Sequence, residues 1–220
     1  MSNRILLVAL LFLALAHPFF PMQSFAHVVF LVAISAVLIA AVWAVSRHRG
    51  MLLAGLVLAA PAFIAAWLQH VIERRWLSAV YLVLGALFLG FTAVVVLRQS
   101  LGGAAVTPDT IAGAICFYLL LGVIWALIYA LVEIAHPGSF LDGGRPVGSG
   151  GGHSLVPELL YLSLATLSTL GYGDILPVTP QARMLAALEG IIGPLYLAVL
   201  IARLVGLAAS RPSANAPRDR

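Results

Sequence analysis

Thr169-Leu170-Gly171-Tyr172-Gly173-Asp174 stands between a short apolar run, Leu155 to Ser168, and a long one, Ala182 to Leu207. In a soluble protein such a hexapeptide is a turn. Its surroundings here are different. The chain has 220 residues, of which 62% are hydrophobic and 9% charged. A soluble globular chain of this length has no use for so much apolar surface, so the composition implies a polytopic membrane protein.

Crossing a bilayer takes about 20 mostly apolar residues in a helix. Such runs are Ile5 to Phe20, Phe25 to Val45, Met51 to Ile72, Leu77 to Leu97, Ile111 to Ile134 and Ala182 to Leu207. Leu155 to Ser168 is too short. At about 1.5 Å per residue it reaches roughly 20 Å, which predicts a re-entrant helix. The expected fold is all-α: six transmembrane helices plus this re-entrant one. The basic residues are all Arg, with no Lys. With the N-terminus inside, Arg4, Arg47, Arg49, Arg98, Arg203, Arg211, Arg218 and Arg220 lie on the inner side, against Arg74, Arg75, Arg145 and Arg183 outside. The positive-inside rule therefore predicts cytoplasmic termini in a cytoplasmic (inner) membrane. The arginines form no stripe, so the net charge of +4 reflects topology and no nucleic-acid partner is expected.

The first run has two readings: a retained helix, or a signal segment cleaved near Ser24-Phe25-Ala26. Thr107-Pro108-Asp109 reads as a helix start, with a cap, a first-turn proline and an acid at the positive helix end. The linker before it, with Gly102-Gly103, divides a four-helix part (1–100) from a pore part (101–208), followed by a short tail (209–220). His136 to Ser154, with seven glycines, predicts a mobile external loop. His153 in it is solvated. His17, His27 and His70 fall near span ends and suit interfacial or packing roles. Trp43, Trp67 and Trp76 read as interfacial anchors, and Trp125 as a packing residue. The lone Cys116 permits no intrachain disulfide and no cysteine metal cluster.

Backbone that is neither helix nor closed barrel cannot face lipid, because each unpaired carbonyl costs several kcal/mol. It survives at membrane depth when it is buried in protein or lines water. Helix, short helix, glycine-rich hexapeptide, helix is the order of a pore loop. Gly171 and Gly173 reach backbone angles closed to other residues, which lets successive carbonyls point one way. Leu170 and Tyr172 can then pack outward as a cuff. Ser154 is a candidate cap for the short helix, whose negative C-terminal end favours a cation. Thr169 adds a hydroxyl, and Asp174 a carboxylate at the outer mouth, where it concentrates cations or braces the loop.

Thr166-Leu167-Ser168-Thr169-Leu170-Gly171-Tyr172-Gly173-Asp174 resembles the potassium-channel signature TxxTxGYGD, in which rings of carbonyls replace the shell of water around the ion. Pro177, Val178, Thr179 and Arg183 resemble the usual lead into the inner helix. The likeness covers roughly Thr107 to Leu207, and the whole chain resembles compact bacterial channels with several helices before the pore. It implies carbonyl ligands from Thr169, Leu170, Gly171 and Tyr172, the Thr169 hydroxyl, and Gly173 completing the filter. Four copies are needed to surround an ion, so a homotetramer is implied, with potassium ions in the filter and no other cofactor.

A voltage sensor needs several cationic residues along one helix. The run Leu77 to Leu97 has none, which predicts no gating by charge movement there. The thirteen residues Ala208 to Arg220 predict a short tail without a ligand-sensing domain, and the gating ligand or partner is left open. Gly193-Pro194 is a candidate gating hinge, since Pro194 removes the bond to the Gly190 carbonyl. The other reading is a static kink or close packing through small residues. Glu189 is an intramembrane carboxylate, either a brace behind the filter bonded to Ser163 or Tyr161, or a cavity charge. Three alternatives are a subunit needing a different subunit to conduct, a secondary transporter, and a membrane enzyme. A transporter predicts inverted repeats, and there is only one re-entrant segment. An enzyme needs a nucleophile with a base or metal partner, which Ser163, Thr166 and Glu189 lack.

Overall fold

The computed structural model describes residues 2–16, 23–45, 49–71, 75–102, 106–149 and 155–209. The chain is mostly helical. Four helices come first: α1 (Ser2–Ala16), α2 (Gln23–Val45), α3 (Arg49–Val71) and α4 (Arg75–Leu101). Then follow α5 (Pro108–Ala135), strands β1 (Phe140–Asp142) and β2 (Arg145–Pro146), α6 (Leu155–Leu167), β3 (Ile175–Pro177) and α7 (Pro180–Ala209). Among the described residues, the helical stretches Arg75–Ser100, Pro108–Ala135 and Pro180–Leu207 are long and apolar enough to cross a membrane. The protein is a multi-pass membrane protein. The anticipated cap Ser154, His17, His153, Arg47, Arg74 and residues 210–220 lie outside the described residues, as do the side chains of His27 and His70.

α5 is the hub, packing against α4, α1, α6 and α7. Its start follows the sequence. Thr107 is extended (φ −118°) and its hydroxyl accepts from the Thr110 amide at 3.2 Å, while Thr110 Oγ1 accepts from the Thr107 amide at 3.4 Å. The two satisfy reciprocally donors that a helix N-terminus leaves open. α1 meets this end: Arg4 pairs with Asp109 at 3.2 Å, and the buried Cys116 thiol donates to the Asn3 carbonyl. Leu6, Leu10 and Leu13 of α1 are buried in the shared core with Val37, Phe88, Leu120 and Leu127. Gly85 lets Leu127 approach where a Cβ would stand 3.4 Å from its Cδ1. Trp125 is buried against Tyr129, ring centres 5.9 Å apart.

The described part of the segment after α5, residues 136–149, contains two strands. β1 and β2 form an antiparallel hairpin across Gly143-Gly144, whose φ values of +51° and +86° suit a tight two-residue turn. β3 adds to the other edge of β1, pairing Phe140 with Pro177 and Asp142 with Ile175. This three-stranded sheet is an addition to the all-α expectation, and it joins the residues before α6 to those just after the hexapeptide. Glu133 anchors it. Its buried carboxylate accepts from the amides of Gly138 (2.6 Å) and Phe140 (3.0 Å).

Candidate functional site

α6 ends in a Schellman-type cap, with Thr169 as its left-handed residue. Its last carbonyls take the amides that follow: Thr169 N donates to Thr166 O at 3.0 Å, Leu170 N to Ala165 O at 2.8 Å and Gly171 N to Ala165 O at 3.2 Å. The Ser168 hydroxyl turns back to Leu164 O at 2.6 Å. These bonds tie the start of the hexapeptide to the helix behind it. The backbone then alternates. Thr169, Gly171 and Gly173 have φ of +60°, +56° and +80°, with Leu170 and Tyr172 between them. Left-handed residues at every second position turn successive carbonyls the same way. Two of the three are glycine, for which this region is free. Thr169 is not, and holding it there costs about 1–3 kcal/mol that the surrounding bonds offset.

Among the described residues, no donor reaches the carbonyls of Thr169, Leu170, Gly171 or Tyr172. Gly171 and Gly173 have nothing within 4 Å of where a Cβ would stand. Leu170 and Tyr172, expected to pack outward as a cuff, are 60% and 69% exposed in the single chain. Tyr172 does stack on Tyr161 of α6, rings 6.4 Å apart and 4° from parallel.

Asp174 ends the row. Its carboxylate accepts from the Tyr161 hydroxyl at 2.6 Å and from the Ile175 amide at 3.0 Å, and its carbonyl accepts from Gly143 N of the hairpin at 3.4 Å. The Tyr161 hydroxyl holds the Asp174 carboxyl below the usual carboxylate range. Tyr161 was one of two anticipated partners for Glu189. It serves the outer mouth instead.

Glu189 is fully buried behind α6. Ser163 Oγ lies 2.5 Å from one of its oxygens and the Tyr129 hydroxyl bonds the other. Ser163 also donates to the Gly122 carbonyl of α5 at 2.8 Å. Tyr129 and Glu133 escaped the sequence reading. A signal existed for each: a buried tyrosine hydroxyl needs a partner, and an acid at a helix C-terminus opposes the dipole unless it serves the next loop.

Gly193 makes the close approach of α7 to α6. A Cβ there would stand 2.1 Å from the Leu167 carbonyl oxygen, the same carbonyl that accepts from Tyr118 of α5 at 2.9 Å. Pro194 follows inside α7, and Tyr196 then donates to Ala114 O of α5 at 2.8 Å. At the head of α7, Thr179 accepts from Ala182 N at 3.4 Å, and Arg183 donates to Pro177 O at 3.3 Å. No cluster of three or more metal-ligating side chains occurs among the described residues.

Comparison with known proteins bears on this same region. The family described as Ion channel matches residues 150–209. The inward rectifier potassium channel Kirbac3.1 of Paramagnetospirillum magnetotacticum is 34% identical over 102 residues, 44% of this chain and 29% of that protein. The two pore potassium channel c of Oryza sativa subsp. japonica is 35% identical over 88 residues, 40% of this chain and 16% of that one. The chain thus spans less than a third of the length of either relative. No solved structure matches. The matched region contains α6, the hexapeptide and α7, so the similarity to an ion-channel family and to two potassium channels falls on the site described above.

Proposed function

We propose that the chain is a subunit of a potassium-selective channel whose filter is the backbone of Thr169, Leu170, Gly171, Tyr172 and Gly173. One observation carries the reading: the left-handed alternation at 169, 171 and 173 beside carbonyls that no donor among the described residues reaches. Such a row of oxygens replaces the water around a dehydrated cation, and the Thr169 hydroxyl extends it inward. Asp174, kept ionised, concentrates cations at the mouth. Ions pass in single file and no covalent chemistry is involved.

One chain supplies one wall, so four copies around a common axis form the pore. The bareness of α7 supports this, since only 11% of its most apolar window is buried within the chain. α1 to α5 and α7 serve as six spans, with α6 re-entrant, in a cytoplasmic membrane with both termini inside. α4 has Arg75 at its first residue, Arg98 in its last turn and no basic residue between, so it moves no gating charge. The test is reconstitution of purified protein into liposomes with opposing potassium and sodium gradients. Fast potassium flux with little sodium flux is expected. Slow flux coupled to a second ion would make the protein a transporter.

A further inference from the structure

Three contacts behind α6 admit one arrangement of protons. Ser163, Tyr129 and Glu189 are each wholly enclosed. Ser163 Oγ lies 2.8 Å from the Gly122 carbonyl and 2.5 Å from a Glu189 oxygen, and the Tyr129 hydroxyl meets the other Glu189 oxygen. A carbonyl only accepts, and a serine or tyrosine hydroxyl carries one proton. If Glu189 were a carboxylate, Ser163 would have two acceptors and one proton. One of its contacts would then press lone pair on lone pair in a site closed to water, which is costly. If Glu189 carries a proton, every contact pairs a donor with an acceptor. Tyr129 donates to Glu189, Glu189 to Ser163, and Ser163 to Gly122.

The charge balance agrees. The ion pair formed among the described residues, Arg4 with Asp109, does not involve Glu189. The other titratable groups on the elements around it are engaged elsewhere, apart from Arg203, which stands well toward the C-terminal end of α7, about 21 Å of helix from Glu189. On α5, Tyr118 donates to Leu167 O and Glu133 accepts from Gly138 and Phe140. On α6, Glu158 accepts from Gly148 N and Tyr161 serves Asp174. On α7, Arg183 donates to Pro177 O and Tyr196 to Ala114 O. β3 has no titratable side chain.

We propose that Glu189 is held as a neutral carboxylic acid that donates to Ser163, a positioning residue that locks α6, and with it the filter, to α5 and α7. The consequence for ion flux rests on the channel reading above; the protonation itself does not.

Glu189→Gln separates the two forms, because the amide donates to Ser163 and accepts from Tyr129 in the same pattern. Infrared spectra of the purified full-length protein at neutral pH are compared for wild type and Glu189→Gln. The wild type is expected to show a buried carboxylic-acid carbonyl band that Glu189→Gln lacks. In liposomes, Glu189→Gln is expected to conduct within about twofold of wild type, and Glu189→Ala at least about tenfold less. A difference spectrum that loses carboxylate bands and no acid band overturns the proposal, whether or not Glu189→Ala folds. Where the wild type conducts, Glu189→Gln flux as low as that of Glu189→Ala overturns it too. An acid band in a protein that carries no potassium flux would sink the channel reading and leave the neutral acid standing.

Discussion

α5 and α7 both pack on α6 and both contain a strongly apolar window, yet 50% of that window is buried in α5 and 11% in α7. α5 is the better covered of the two. Ile111 and Ile115 near its start stay exposed, but its polar groups Tyr118, Tyr129 and Glu133 all have partners. α7 is anchored at a few points, through Glu189, Gly193 and Tyr196, and leaves Met184, Ile191, Leu195, Val199 and Val205 exposed. The same contrast holds for α6. Its back is bonded and closed, while the hexapeptide at its end presents open carbonyls and exposed Leu170 and Tyr172. What is closed needs one chain. What is open needs lipid, ions or further copies.

The sharpest way to break this contrast is at the open end. Gly171→Ala puts a side chain on a residue with φ of +56°, at a backbone cost of about 1–2 kcal/mol. Loss of selective potassium flux in liposomes is expected, with the helices intact by circular dichroism. Undiminished selectivity would remove the hexapeptide as the ion path. Next comes the bare helix. Native mass spectrometry in mild detergent should find four copies. A monomer that still conducts would leave the open face of α7 to lipid alone.

Gly193→Ala probes the closed side. Its Cβ would meet the Leu167 carbonyl oxygen at 2.1 Å, far inside contact distance. Overpacking of this kind costs about 1–3 kcal/mol, so a lower melting temperature in detergent is expected. Unchanged melting with altered open probability would point to a hinge glycine, not a packing one.

The smallest effect belongs to Asp174. Its carboxyl is lowered in the folded protein by the Tyr161 hydroxyl, so the bond stabilises the mouth at neutral pH. That contribution is lost only as pH falls through the lowered value, below the ordinary carboxylate range. Flux should therefore be flat in this respect from neutrality down to mild acid. Tyr161→Phe should move the acid transition upward, a shift read from flux against pH.

Much of this was legible in the residues. Apolar runs of sufficient length announce helices without reference to anything distant. Thr107-Pro108-Asp109 announces a helix start because capping is local. Glycine at 171 and 173 announces left-handed backbone because few other residues tolerate it. The hairpin was harder to read. Strands of two and three residues have no periodicity, and β1 is held by β3, more than thirty positions later. Glu189 was visible as an anomaly, but its partners were not. Tyr161 and Ser163 both stand within reach of a sequence-based guess, and only the rotation of α6 sends one to the mouth and the other to the back.

By itself, then, the amino-acid order determined which segments are helical, where the backbone must leave the helix, and which chemistry the hexapeptide offers. These depend on contacts a few residues apart. The tertiary structure alone decided that Glu133 holds a turn, that Tyr129 and Ser163 enclose Glu189, that Gly193 abuts the end of α6, and that α7 stays bare. Those outcomes depend on how helices rotate and approach one another, which no local pattern encodes.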